Sequence, residues 1–233
     1  MTQQRSLSVL AVIFGLTLAW NGTRLLLSPA AVRAFGNPAN LWMAFVGQAL
    51  LWLIAAAVLA IVIFWEKKPI ASLWLQPFRW QSIAWGLALV ALHYAVIFPF
   101  TEWVRHATGL PGFEQGMDRV MRFPVSYRIT AFLTAGVVEE LLFRGYTITR
   151  LTMLTRNVWV AGVLALVGFA FLHAPYWGRG FVVISLIGGV VTTTFFIWKK
   201  DLLAMMVFHA CTDAVGLVIA PMFSEWWREP RAF

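Results

Sequence analysis

Seven apolar stretches, at 7–27, 41–65, 80–100, 128–150, 158–174, 181–198 and 202–222, occupy most of this 233-residue chain. Each is close to the roughly 20 residues an α-helix needs to cross the hydrocarbon core of a bilayer. Short polar or Gly/Pro punctuation separates them: Ser28-Pro29, Asn37-Pro38, Glu66 to Pro69, Arg156-Asn157, Pro175 to Gly180 and Lys199-Lys200-Asp201. Composition closes off the soluble alternative. Hydrophobic residues make up 61% of the chain and charged residues 12%, where a soluble domain carries about 25% charged residues. Short alternating strands are absent, which argues against a membrane β-barrel. The chain therefore reads as all-α, a polytopic helical membrane protein of about seven transmembrane helices. It reads as a single membrane domain over 1–233, with amino-terminal helices and an interfacial loop in 1–127 and the chemistry in 128–222. No cleavable signal peptide is expected, because the first apolar stretch is too long for one.

The formal charge of +8 fits Lys and Arg in loops at membrane surfaces, and no nucleic-acid partner is expected. With seven spans, Arg5, Lys67, Lys68, Arg79, Arg150, Arg156, Lys199 and Lys200 fall on the amino-terminal side. Arg24, Arg33, Arg105, Arg119, Arg122, Arg128, Arg179, Arg228 and Arg231 fall on the other. The balance is a tie, and the two lysine pairs in short loops lean the amino-terminal side towards the cytoplasm. The short loops suit a prokaryotic plasma (inner) membrane. Cys211 is the sole cysteine, so no intrachain disulfide forms. The longest connection, 101–127, places Phe113, Met117, Val120 and Met121 at i, i+4, i+7 and i+8, the spacing of an amphipathic helix lying in the interface.

Ionisable residues within membrane spans are costly, and by default they point to function. Here they gather in the last four spans. Glu140 and Arg144 are i, i+4 and share a helix face, so Arg144 neutralises Glu140 and leaves Glu139 pointing elsewhere. Two neighbouring carboxyls in a low-dielectric site do not titrate alike, and the one without the arginine suits a general base or acid. The alternative for this motif alone is a charge cluster that holds helices together. His173 precedes Ala174-Pro175, where proline is expected to end the helix. Glu139 and His173 are 34 residues apart with Arg156 midway, so a helical hairpin turning there sets them level, with room for one water between them. His209 and Asp213 are i, i+4 and project from one face. Counting from the span boundaries, His209 lies about seven residues into its span and His173 about fifteen into a parallel one. Either the fifth helix starts outside the bilayer or a boundary must move.

Glu139-Glu140-x-x-x-Arg144, Phe169-x-x-x-His173 and His209-x-x-x-Asp213, in this order on separate spans, resemble the CAAX-protease and bacteriocin-processing family of intramembrane endopeptidases over about 128–222. The resemblance implies peptide-bond hydrolysis by a glutamate-activated water. Glu139 would be the general base and His173 would help hold the water. Glu140 and Arg144 would brace the site, and His209 with the residue four later would stabilise the oxyanion. That later residue is Asp213, where asparagine is common in the family. An ionised Asp cannot donate to an oxyanion, so Asp213 is either protonated or only orients His209. The resemblance implies a membrane-embedded or membrane-anchored peptide substrate, with prenylated tails, leader peptides and sorting tails all compatible. No cofactor is expected. Zinc is the alternative, since Glu and His can ligate it, but His-Glu-x-x-His is absent and Arg144 would oppose a divalent cation. Two other classes stay open: a non-catalytic scaffold or immunity-type protein, and a transporter with a proton relay.

Overall fold

The computed structural model describes residues 2–112 and 114–223; Phe113, Arg228 and Arg231 lie outside them. The fold is 86% helical, with no strand among the described residues. Among the described residues, nine helices and one 3-10 turn (Ile70–Leu73) build it: α1 (Thr2–Leu26), α2 (Pro29–Phe35), α3 (Leu41–Trp65), α4 (Trp80–Thr108), α5 (Glu114–Met121), α6 (125–155), α7 (Val158–Trp177), α8 (Arg179–Lys199) and α9 (Leu202–Phe223). The punctuation acts as helix caps. Ser28, Asn40, Asn157 and Asp201 each accept a backbone N–H of the helix they precede, satisfying donors that a helix start leaves open.

Six of the long helices, α1, α3, α4, α7, α8 and α9, are long and apolar enough by length and composition to cross a membrane. The chain is thus a multi-pass helical membrane protein. The other long helix, α6, carries Arg128, Glu139, Glu140, Arg144 and Arg150 and is the one its neighbours enclose. Ten residues of its stretch Ala135–Ile148 are buried. Burial in protein is what permits charge at membrane depth. Val138, Leu142, Phe143 and Tyr146 of α6 form the core with Ala19, Val58, Ala165, Phe196 and Met205. Large apolar side chains such as Phe14, Leu53, Val163 and Phe171 face outward, where lipid replaces water as solvent.

Small residues set the closest helix approaches. A methyl on Gly136 would lie 2.6 Å from the Ala210 Cβ and 2.8 Å from its backbone nitrogen, so α6 rides directly on α9. A methyl on Gly86 would lie 2.8 Å from the Ala204 carbonyl oxygen, which brings α4 onto the other side of α9.

Several boundaries differ from the sequence reading. The third span runs on to Thr108, because Glu102 and Arg105 pair at 2.7 Å on the helix surface and the helix ends only at Gly109, with φ 65°. The long connection therefore shrinks to 109–124, with α5 inside it. Proline does not stop the fifth span: α7 carries Pro175 and ends at Trp177, since a proline so near the helix end disturbs only the last turn. Two π-turns, His93–Ile97 and Val215–Ile219, lie just before Pro99 and Pro221, where the missing proline N–H loosens the ladder.

Arg150 is the largest departure. Read as a surface charge, it is 1% exposed. Its Nε donates to Glu66 Oε2 at 2.8 Å, and its Nη2 lies 2.8 Å from the same oxygen and donates to Ser72 Oγ at 2.9 Å. Tyr146 Oη donates to Glu66 Oε1 at 2.9 Å. This network fastens the 66–79 segment under the start of α9, where Leu202 N donates to Trp74 O at 3.0 Å.

Candidate active site

The hairpin between α6 and α7 turns where the sequence places it, with Arg156 in the left-handed region at φ 57° and Asn157 capping α7. It brings His173 Nε2 to 3.5 Å from Glu139 Oε1. His173 Nδ1 donates to the Phe169 carbonyl at 2.8 Å. That bond fixes the ring and, in the neutral imidazole, leaves the Nε2 lone pair facing the Glu139 carboxylate and the cavity.

His209 reaches the neighbouring carboxylate. Its Nδ1 donates to Glu140 Oε1 at 2.7 Å, and its Nε2 lies 3.6 Å from Asp213 Oδ2. The mismatch in depth between the two histidines is resolved at the start of α9. Asp201, Leu202, Ala204 and Met205 are buried beneath the 66–79 segment, whereas Trp159 and Val160 at the start of α7 are exposed. With the start of α9 packed inside the protein, His209 and His173 meet consecutive residues of α6.

Arg144 Nη1 pairs with Glu140 Oε1, and its Nη2 donates to Thr192 Oγ1 on α8 at 2.9 Å. The Glu140 side chain is 0% exposed. Glu140 is thus held between Arg144 and His209 while Glu139 points away to His173. The sequence placed Arg144 against Glu140 but not His209 against Glu140, because 69 residues separate that pair. Thr192 also escaped notice. Its signal is Thr192-Thr193-Thr194, a polar run inside an otherwise apolar span.

Glu139, His173 and Asp213 line a cavity of about 130 Å³, room for several waters. These three side chains come from α6, α7 and α9. His209 is not itself a lining residue, and its Nε2 lies 3.6 Å from Asp213, which is one. The structure adds the amino-terminal half: Val32 and Phe35 of α2 and Gln48 and Leu51 of α3 close the other side. Tyr127, at the start of α6, also lines it and accepts a hydrogen bond from Gln48 Nε2 at 3.1 Å. The chamber is therefore mostly apolar with a polar floor, a shape that suits an apolar chain carrying one polar linkage.

The donors for a metal are largely committed to one another. Glu140 is engaged by Arg144 and His209, and His173 Nδ1 by a carbonyl. Among the described residues no three His, Cys, Asp or Glu side chains are disposed to hold one ion, so no step is routed through zinc.

Residues 122–215 match the family model described as Rce1-like, type II CAAX prenyl endopeptidase Rce1-like. The match spans α6 to α9 and contains all three motifs. Among curated proteins and among solved structures, none matches the chain.

Proposed function

With the CAAX-protease family supported over residues 122–215, we propose that the protein is an intramembrane endopeptidase that hydrolyses a peptide bond with water activated by Glu139. The single observation that carries this reading is the Glu139–His173 pair at 3.5 Å on the floor of a cavity that admits water.

In this reading a water binds between the Glu139 carboxylate and His173 Nε2. Glu139 takes its proton as oxygen attacks the carbonyl carbon. The carbonyl oxygen becomes an oxyanion; His209, as an imidazolium whose Nδ1–H is held by Glu140, offers it the Nε2–H from beside Asp213. Its Nδ1 is tied to Glu140, so the ring is aimed before substrate arrives. Asp213, with Oδ2 3.6 Å from Nε2, lies at ion-pair distance and orients the ring electrostatically. As the tetrahedral intermediate collapses, Glu139 returns its proton to the leaving amine. Glu140, Arg144 and Thr192 position His209 and touch no reacting atom.

The substrate is a membrane-associated peptide or protein, in keeping with the family. Its scissile bond enters from the apolar chamber, and a prenylated, leader or sorting tail in the plasma membrane fits that geometry. A scaffold does not need an unpaired face of Glu139 aimed into a water-sized space, and this favours the enzyme over the non-catalytic alternative. The test is incubation of the reconstituted protein with membrane-anchored reporter tails of these three kinds. A bond hydrolysed by the wild type and left intact by Glu139→Gln supports the reading. Cleavage that survives Glu139→Gln contradicts it, as does a well-folded wild type that cleaves none.

A further inference from the structure

The two short helices beside the catalytic cavity, α2 and α5, enclose a second cleft of about 470 Å³, lined in part by Val32, Arg33, Gly36, Asp118, Arg119 and Arg122. Three guanidinium groups there face one carboxylate. Arg119 has an internal anchor: its Nη1 donates to the Tyr176 carbonyl at 2.9 Å, and its guanidinium carbon stands 4.8 Å from the Tyr176 ring centroid. Arg33 and Arg122 are exposed and make no hydrogen bond or ion pair among the described residues. A concave site with three cationic forks against a single carboxylate is built for an oxyanion, and the planar guanidinium matches phosphate oxygens in pairs.

Its level in the membrane narrows the source. Trp42, 75% exposed at the start of α3, and Trp103, 65% exposed near the end of α4, lie at the same end of the bundle. Exposed tryptophans mark the water–hydrocarbon interface, where lipid phosphates reside. Val32 and Gly36 line this cleft and the catalytic cavity alike, so whatever fills the one bears on the wall of the other.

We propose that Arg33, Arg119 and Arg122 bind the phosphate of an anionic glycerophospholipid, which ties α2 to α5 beside the catalytic cavity. The site is independent of the peptidase reading, and its test does not use turnover. The purified full chain, in a neutral detergent, is titrated with phosphatidylglycerol, phosphatidylcholine or sodium phosphate, and the thermal unfolding midpoint is followed. Phosphatidylglycerol should raise the midpoint saturably. The Arg33→Ala/Arg122→Ala double variant should need at least about ten times more lipid, consistent with losing two charge-assisted contacts. Its midpoint without lipid should equal the wild type's, since neither side chain has a hydrogen-bond or ion-pair partner among the described residues. Asp118→Asn should bind the lipid severalfold more tightly, because it removes the one negative charge. Equal saturation of wild type and double variant, or no tightening in Asp118→Asn, would overturn the site. Phosphatidylcholine acting as well as phosphatidylglycerol would overturn the charge-based selection. Sodium phosphate giving the same rise at the same concentration would make the ligand free phosphate and overturn the lipid assignment.

Discussion

Replacing Arg150 with alanine isolates the energetic role of charge in this bundle, because the Glu66–Arg150 pair lies at the opposite end of α6 from the cavity. The two side chains are 1% and 0% exposed. Arg150 satisfies Glu66 Oε2 and supplies further bonds to Ser72 and Thr149. Arg150→Ala leaves the Glu66 carboxylate buried with Tyr146 as its one side-chain partner among the described residues. Breaking a buried pair by removing one partner costs about 3–5 kcal/mol. For a chain of this size each kcal/mol moves the midpoint by about 2–4 °C, so the expected fall is about 6–20 °C. The assay is thermal unfolding of the purified protein in detergent. Glu66→Gln added to Arg150→Ala removes the stranded charge and should recover at least half of the loss. Cleavage per folded molecule should change little. A fall below about 2 °C, or no recovery in the double variant, would refute the claim that this pair fastens the 66–79 segment.

Arg144→Ala should also lower the yield of folded protein, because it strands Glu140, and Glu140→Gln in the same chain should restore the yield but not the activity; equal yields for Arg144→Ala and wild type would contradict this. Gly136→Ala should push α6 off Ala210 and cost about 1–3 kcal/mol, with kcat falling more than stability because Glu140 and His209 lose register; an unchanged midpoint and kcat would show that the approach at Gly136 is not needed. Elemental analysis should find no stoichiometric metal, and activity should persist after a strong chelator is added and removed; about one zinc per chain, with activity lost on chelation and restored by zinc, would reverse the metal-free mechanism.

Much of the fold was legible because bilayer thickness quantises helix length. The Glu139–His173 juxtaposition was legible for a related reason: an uninterrupted hairpin fixes which residues sit level, and Arg156-Asn157 marks its turn. What the sequence hid depends on segments that meet from far apart in the chain. Glu66 and Arg150 each sit beside loop punctuation and read as surface charges, yet the 66–79 segment folds inward and buries both. The same segment packs against the start of α9, where Leu202 N donates to Trp74 O, a contact that no count from the span boundary reveals. The cavity wall from α2 and α3 was equally invisible, since Val32, Gln48 and Leu51 carry no motif and act by shape alone.

The measurement that tests the central claim most directly is the turnover of Glu139→Gln against wild type on one cleavable membrane-anchored peptide, with thermal unfolding of both run alongside. The substitution keeps the shape of the side chain and removes its ability to take a proton. Losing a general base should lower kcat by about 10²–10⁴-fold while the midpoint stays within a few degrees. A Glu139→Gln enzyme that folds normally and keeps kcat within a few-fold of wild type would contradict the assignment of Glu139 as the base.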